Sequence, residues 1–167
     1  MLGKALEMPS LIEPLNHFYL NLLFKNPAHF IDTPVNVLNF DCRFPQHTIE
    51  YCIPIRHTKE ALSEIQTMIK KEGLYLNFPL EVRFSDCDDI YLSSCFGKEA
   101  FCWIGIVMYR PYLKDPPQYK EIFDRFETIM SKFEGRPHWA KAFNKENFDI
   151  NKLFPCESVE TFLALRQ

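Results

Sequence analysis

Glycine is scarce in this sequence, and its scarcity limits the cofactors that the chain can hold by itself. The chain has five glycines, none of which forms a Gly-x-Gly-x-x-Gly motif or a phosphate-binding loop. These motifs bring backbone N–H groups close to the phosphates of a bound nucleotide. The sequence therefore predicts that this chain does not itself hold a nucleotide cofactor by its phosphates.

Cysteines are present, but their spacing is not that of a metal site. The sequence has no Cys-x-x-Cys pair, no Cys–His spacing typical of zinc and no Asn-x-Ser/Thr sequon. We expect free thiols in a reducing compartment, with Cys87, Cys95 and Cys102 packed beside strands as small apolar groups. A Cys–His nucleophile pair is an alternative that no local motif supports. The six cysteines are Cys42, Cys52, Cys87, Cys95, Cys102 and Cys156.

The sequence also lacks a basic region and a long uninterrupted apolar run. Its net charge is −3, and no Lys/Arg cluster is interleaved with aromatic residues, which excludes a nucleic-acid-binding face. The apolar helical segment at residues 11–24 is interrupted by polar residues and is too short to cross a bilayer. We predict that it docks on a neighbouring domain; a position in a membrane interface is the alternative.

Hydrophobic patterning predicts an α+β fold, with a mostly antiparallel sheet and helices packed on it. Residues 1–34 are predicted to form a helical arm and linker, and residues 35–167 a further domain. Residues 101–109 are nearly all apolar, as in a central strand covered on both faces. The predicted strands are residues 35–40, 50–54, 80–84, 90–93 and 101–109; the predicted helices are residues 11–24, residues 59–72 between a Thr58 cap and Gly73, a helix that opens at Pro116-Pro117 and ends at Gly135, and a shorter helical tail.

Two segments carry candidate functional residues. In the first, Leu80, Val82 and Phe84 alternate with Glu81 and Arg83, so that one face packs into the core while the carboxylate and guanidinium share the other. These two groups form either a solvated surface pair or a ligand-binding pair on a rigid element.

The second segment, residues 135–141, places two cations, an imidazole and an indole just after a predicted helix. Loops on a rigid scaffold are where binding residues concentrate. The alternative is a helix end followed by a packed Trp139 with solvated cations, and Arg136 is expected to be a helix-end cation.

Together the two segments resemble the C-terminal part of the sugar-1,4-lactone oxidases. These are the L-gulonolactone and D-arabinono-1,4-lactone oxidases of the vanillyl-alcohol-oxidase flavoprotein superfamily. The shared motifs, in the family's order, are Glu-Val-Arg-Phe at residues 81–84, Met-Tyr-Arg-Pro at residues 108–111 and Gly-Arg-Pro-His-Trp-Ala-Lys at residues 135–141. The resemblance runs clearly from about residue 36 onward.

The resemblance implies a role for each matching residue. Glu81 would hydrogen-bond substrate hydroxyls or help to take up a proton, and Arg83 would stabilise negative charge on the substrate oxygen or the reduced flavin. Lys141 would contact the hydroxyl that is oxidised. His138 and Trp139 would shape the pocket, and a catalytic part for His138 stays open. Arg83 and His138 are also the expected contacts to the cofactor.

The implied reaction is FAD-dependent oxidation of an aldono-1,4-lactone at C2, with oxygen or another acceptor reoxidising the flavin and an ascorbate-type product. In this family an N-terminal domain holds the flavin, so the sequence predicts a substrate-binding part that is inactive alone and partners that domain. An intracellular location is implied, and peripheral membrane contact stays open.

Other functions are kept as alternatives. The chain could be a non-catalytic remnant or binding module without flavin, or an unrelated α+β hydrolase or transferase. The apolar Ile106 and Met108 favour an animal-type lactone oxidase, because some bacterial polyol-oxidising relatives have polar residues on that strand.

Overall fold

Strand β3 (Phe101–Tyr109) is central to the structure, a computed structural model that describes residues 8–23, 25–26, 31–38 and 45–166. With β1 (Gln46–Pro54), β2 (Glu81–Ser85) and β4 (Arg136–Pro137) it forms a four-stranded antiparallel sheet in the order β2-β3-β1-β4. The predicted α+β fold is therefore confirmed. The helices are α1 (Ile12–Leu23), α2 (Pro34–Leu38), α3 (Thr58–Glu72), α4 (Tyr119–Ser131), α5 (Ile150–Leu153) and α6 (Cys156–Leu165).

The main core lies between one face of the sheet and the two long amphipathic helices. Helix α3 buries Ala61, Ile65 and Met68, which recur at helical spacing, and α4 buries the equivalent stripe of its own sequence. Burial of this apolar surface is the main favourable contribution to folding. The core residues of α4 are Ile122, Phe123, Phe126, Ile129 and Met130, and those of the sheet include Ile49, Ile53, Ile104, Ile106 and Met108.

The predicted C-terminal end of α3 is correct, whereas the predicted starts of α3 and α4 are wrong. Gly73 follows α3 with a φ of 70°, a left-handed conformation that glycine adopts without strain, as predicted. Thr58, predicted as the cap, is instead the first helical residue, and His57 holds the cap position. Helix α4 begins at Tyr119 rather than at the prolines, because Gln118 has a left-handed backbone.

The predicted strand at residues 35–40 is wrong, because Pro34–Leu38 is a short helix. Val35 and Val37 alternate as in a strand, but Pro34 has a fixed φ that suits the first helical position. The Asp32 carboxylate also accepts hydrogen bonds from the Thr33 N–H (2.7 Å) and the Asn36 amide (2.9 Å), which favours the turn. Residues 39 and 40 lie outside the described residues, as does Cys42.

The predicted strand at residues 90–93 is also wrong. One carboxylate, that of Asp88, accepts hydrogen bonds from the Ile90 N–H (3.1 Å) and the Ser93 hydroxyl (2.6 Å). Such local side-chain bonds compete with strand pairing. Residues 90–96 therefore form turns that are held against the end of the sheet, where Cys95 packs with Cys52 and Phe101.

Strand β2 runs over Glu81–Ser85, one residue later than predicted. Leu80 and Val82 pack against the core as expected. Phe84 does not, and it is 64% exposed. The alternation correctly assigns Phe84 to the face shared by Val82, but β2 is an edge strand and Phe84 lies beyond the cover of the main core.

The N-terminal helix α1 begins one residue later than predicted, after a turn at Pro9–Leu11. It borders a cavity of about 320 Å³ whose other wall includes Ile69, Tyr75 and Phe78. Its side chains Phe18, Leu20 and Leu22 are exposed, and Leu20 also lines the cavity. In the described part of the chain, no helix is long and apolar enough to cross a membrane. The division of the chain at residue 34 stays a prediction.

Candidate functional site

The sheet face opposite α3 and α4 carries the predicted site residues of β2. Residues directly opposite one another in neighbouring strands share a face, and so do alternate residues of one strand. Glu81 is opposite Gly105, which is opposite Glu50 on β1. In the adjacent row, Arg83 is opposite Trp103, which is opposite Cys52. Glu81 and Arg83 therefore lie at the edge of a strip of two residue rows that continues across β3 to β1.

Glu50 is the residue of this strip that sequence analysis missed. Its carboxylate accepts a hydrogen bond from an Nη of Arg83 and forms an ion pair with it. The carboxylate is buried, with Glu50 only 3% exposed, whereas the side chain of Arg83 is 59% exposed. A charged residue within the apolar run Ile49–Ile53 was the available signal, because a buried charge requires a partner.

Gly105 lies between the two carboxylates of this strip. A Cβ at this position would lie 3.6–3.7 Å from the Cγ, Cβ and Cδ atoms of Glu50. The side chain of Glu50 therefore lies against the backbone of β3. Since Gly105 has no side chain, the row from Glu50 to Glu81 is interrupted by no third group.

The second candidate segment lies beside the same part of β1. The N–H of His138 donates to the Glu50 carbonyl (2.9 Å), and the N–H of Ala142 donates to the Thr48 carbonyl (2.9 Å). Residues 139–141 form a short loop between these two anchors. Glu50 thus contacts both candidate segments: Arg83 through its carboxylate and His138 through its backbone.

The imidazole of His138 lies beside Trp103 on this face, with ring centroids 5.6 Å apart. Its Nδ1 accepts a hydrogen bond from the Ala140 N–H (3.1 Å), so the neutral ring carries its proton on Nε2. Among the described residues Nε2 has no hydrogen-bond partner. The ring can therefore donate one hydrogen bond to a ligand.

Lys141 and Glu81 have side chains without an ion-pair partner among the described residues. Both are half-buried. Lys141 is on the loop beside β1, where its N–H donates to the His138 carbonyl (3.0 Å), and Glu81 is on β2. The structure records no direct bond between them. It brings Arg83, Glu50, Trp103 and His138 into one chain of contacts, with the Glu81 carboxylate on β2 and the Lys141 ammonium beside β1.

Besides this geometry, the sequence of the chain matches a known protein family. The profile of the D-arabinono-1,4-lactone oxidase family matches residues 1–167. The chain belongs to this family. It is 39% identical to the L-gulonolactone oxidase of Bos taurus over 96% of the chain, 40% identical to that of Mus musculus over 93%, and 29% identical to the L-gulono-1,4-lactone dehydrogenase of Mycobacterium tuberculosis over 95%.

Membership of the lactone oxidase family excludes the alternative of an unrelated hydrolase or transferase. The chain spans only about a third of the length of these relatives: 36% of the bovine protein and 35% of each of the other two. The match therefore shows the family of this chain, and the activity of the whole protein is proposed from it.

The use of Ile106 and Met108 as evidence for an animal-type lactone oxidase is wrong. Both are 1% exposed and belong to the core beneath α3 and α4. Because side chains alternate along β3, the strand presents Trp103, Gly105 and Val107 to the opposite face. The chain is similar to animal enzymes, but these two residues have no part in that site.

The expectation for Arg136 is also wrong, because this residue is not a solvated helix-end cation. Its half-buried guanidinium donates to the carbonyls of Leu153 (2.8 Å), Phe96 (2.6 Å) and Ser94 (3.2 Å), and its Cζ lies 5.1 Å from the ring of Phe154. Arg136 thus joins the turns after β2 to the C-terminal segment. It has a structural role.

Trp139 packs away from the strip that contains Arg83 and His138. Its indole N–H donates to the Leu92 carbonyl (2.8 Å), and its ring stacks on Phe154 with centroids 5.9 Å apart. The rings of Phe143 and Phe148 contact its edge. Trp139 therefore anchors the base of the 139–141 loop.

The described cysteines are free thiols, and their surroundings do not favour nucleophilic chemistry. The Sγ atoms of Cys52 and Cys95 lie 3.6 Å apart in a buried cluster. Burial raises the pKa of the Cys52 thiol and that of Cys102. Because the thiolate is the reactive form, these residues are poor nucleophiles.

A cavity of about 610 Å³ lies between α4 and the C-terminal segment. It is lined by Tyr51, Glu127, Asn144 and Lys152, among others, and by none of Glu81, Arg83, His138 or Lys141. The centre of the candidate strip, at Glu50 and Gly105, is buried, and Arg83 is exposed at its edge, so this cavity does not locate the candidate site.

Proposed function

We propose that this chain forms the substrate side of an FAD-dependent aldono-1,4-lactone oxidoreductase. The observation that carries the proposal is the contact chain from Arg83 through Glu50 to His138, on the sheet face opposite α3 and α4 of a lactone oxidase family member. The proposed reaction is oxidation of an L-gulono- or D-arabinono-1,4-lactone at C2, with oxygen as acceptor and an ascorbate-type product.

The donor set fits the reactive end of a flavin rather than its phosphates. Bound FAD would accept the hydride from C2, which no amino-acid side chain can accept. Arg83 and His138 present a permanent cation and a neutral N–H donor, the groups that stabilise negative charge. The chain has no glycine-rich loop for the phosphates, so a separate N-terminal domain is the proposed holder of the dinucleotide.

The residues of this chain bind and orient the lactone. The carboxylate of Glu81, which has no ion-pair partner among the described residues, accepts hydrogen bonds from lactone hydroxyls, and it is the proposed group that takes up the proton of the C2 hydroxyl. Arg83 stabilises negative charge on that oxygen. Lys141, whose ammonium has no ion-pair partner in the part of the chain that the structure describes, holds the same hydroxyl from the loop beside β1.

His138 and Trp103 have supporting parts in this proposal. The Nε2–H of His138 donates to the ligand, and its tautomer is set by the bond from the Ala140 N–H. Trp103 provides an apolar surface whose indole N–H is already satisfied by the Ser85 hydroxyl (3.0 Å). A ring with a satisfied donor packs against a ligand without a desolvation penalty of its own.

The proposed location is intracellular. The exposed side chains Phe18, Leu20 and Leu22 of α1 provide an apolar surface, for which the flavin-holding domain is the proposed partner. Peripheral membrane contact is the second possible use of this surface. Vesicle sedimentation of the chain, with and without charged substitutions at these positions, distinguishes the two.

The decisive experiment joins this chain to a flavin-holding domain. This chain replaces the matching region of the bovine L-gulonolactone oxidase, and lactone-dependent peroxide formation is measured in the chimera. We expect activity that falls at least 100-fold on Glu81→Gln or Lys141→Met, since each removes a group that acts on the C2 hydroxyl. A folded, flavin-loaded chimera that oxidises no aldono-lactone would reject the proposal.

The remnant or binding-module alternative has its own readout. Titration of the chain alone with L-gulono-1,4-lactone in a calorimeter measures binding without any flavin. Binding by the chain together with a flavin-loaded chimera that stays inactive would support a binding module. Activity of the chimera would exclude that alternative.

A further inference from the structure

Glu50 is a buried carboxylate in a strand that otherwise contributes apolar side chains to two cores. Burial of a charge is unfavourable unless a partner and hydrogen bonds compensate for it, and a buried ion pair is often no better for stability than apolar residues of the same volume. The structure therefore gives Glu50 no evident advantage for folding. Its contacts indicate another use.

The first of these contacts restrains Arg83. The guanidinium is on an edge strand and its side chain is 59% exposed. Among the described residues, Glu50 is the one group to which Arg83 donates a hydrogen bond. Without it, the long side chain would sample many rotamers, and a ligand would have to order it at an entropic cost.

The side chain of Glu50 lies against the backbone of β3 at Gly105. The ion pair crosses from β1 to β2 over β3, where Gly105 is the residue of β3 in the row of Glu50 and Glu81. The buried side chain of Glu50 is held rigidly because it lies against the backbone of the central strand β3. Arg83 is thus held by a fixed anchor rather than by another mobile surface residue.

The second contact is made by the backbone of the same residue. The Glu50 carbonyl accepts the N–H of His138, which starts the loop that carries Lys141. One residue of β1 therefore sets the position of a cation on one side of the strip and of a neutral donor on the other.

We infer that Glu50 is a positioning residue that acts through Arg83 to preorganise the lactone-binding face, an inference that rests on the proposed function. It touches Arg83 and the His138 backbone, and it does not require contact with substrate. Preorganised groups bind a ligand more tightly because less freedom is lost on binding.

The test is a double-mutant cycle on the 167-residue chain, with calorimetric affinity for L-gulono-1,4-lactone as the first readout. Glu50→Gln keeps the shape but removes the charge, and we expect it to weaken binding about tenfold. In an Arg83→Gln background the same change should alter affinity less than twofold, because Glu50 acts through Arg83. Equal losses in both backgrounds, or no loss in either, would overturn the inference.

The second readout is the nitrogen NMR spectrum of the Arg83 guanidinium, which needs no ligand. Rotation about the Nε–Cζ bond should be slow in the wild type and faster in Glu50→Gln. Unchanged rotation would refute the positioning role. If the glutamine variant does not fold, Glu50→Asp, which keeps the charge but shortens the side chain by one methylene, provides the same comparison.

A matched control separates positioning from general loss of an ion pair. Glu72→Gln removes the partner of Arg125 on the helix side of the sheet, where the guanidinium donates at 2.8 and 2.6 Å. It should leave lactone affinity and Arg83 rotation unchanged. If the wild-type chain binds no lactone and the chimera is inactive, the proposed function fails, while Arg83 rotation still decides whether Glu50 restrains it.

Discussion

The hydroxyl of Tyr51 donates a 2.9 Å hydrogen bond to the carboxylate of Glu127, and this buried bond joins β1 to α4 across the main core. The same carboxylate oxygen accepts the N–H of Asn144 (2.7 Å), so it also holds the segment that follows the 139–141 loop. Glu127 interrupts an otherwise apolar helix stripe, and its two donors compensate for its burial.

Removal of either partner of this bond should destabilise the fold. Glu127→Leu leaves the Tyr51 hydroxyl and the Asn144 N–H without an acceptor, and we expect a loss of about 1–3 kcal/mol in the free energy of unfolding. Urea denaturation measures it. The control Thr128→Ala changes an exposed neighbour on α4, and a similar loss there would show that the bond is unimportant.

The Tyr51–Glu127 pair also predicts an alkaline dependence of stability. Burial, and then the charge of Glu127, raises the pKa of Tyr51 in the folded state. Stability from this shift is complete below about pH 10, where tyrosine titrates in the unfolded chain, and is lost as the pH rises above it. Between about pH 10 and 11 the wild type should lose stability more steeply than Tyr51→Phe in urea denaturation. Parallel curves would contradict the assignment.

Arg136 should be important for stability rather than for chemistry. Arg136→Lys keeps the charge but cannot reach three carbonyls from one planar group, so we expect a loss of about 1–3 kcal/mol. Thermal and urea unfolding measure it. Lys132→Met, which removes an exposed cation paired with Glu64, is the control and should change stability little. In the chimera, the folded Arg136→Lys protein should keep its lactone affinity.

Gly135 should tolerate no side chain. A Cβ there would lie 2.6 Å from the carbonyl oxygen of Met130, at the end of α4. Gly135→Ala should therefore lower the urea midpoint of unfolding and shift the backbone NMR signals of residues 130–136. At Gly105 a Cβ meets its nearest neighbour at 3.6 Å, so Gly105→Ala should unfold at nearly the wild-type midpoint. Equal effects at the two glycines would refute the steric explanation.

Two residues of β3 test which face of the sheet binds the ligand. Ile106→Ala removes core volume and should cost about 2–5 kcal/mol of stability without changing the lactone affinity of the folded chain. Trp103→Phe removes part of the apolar surface that the opposite face presents to the ligand, so it should weaken lactone binding about threefold, with less effect on stability. Calorimetry and urea denaturation separate the two effects, and the reverse pattern would place the site on the helix side.

The sequence alone determined the elements whose signals are local. The spacing of apolar residues predicts α3 and α4, the apolar run predicts β3 with its observed bounds, and Gly73 marks a helix end because only glycine adopts that backbone without strain. The motifs around Glu81 and Lys141 were sufficient to indicate the family, because each is a contiguous stretch of sequence that requires no tertiary contact to be recognised.

Tertiary structure decided everything that depends on which segments meet. Alternation along β3 shows that Ile106 and Gly105 face opposite ways, but only the packing of α3 and α4 shows which face is the core. Arg136 resembles a surface cation until three carbonyls, from residues 17, 40 and 42 positions away, converge on it. Glu50 and Arg83 are 33 residues apart, and strand order and register alone place them in contact, because hydrogen-bond pairing between distant strands leaves no periodic trace in the sequence.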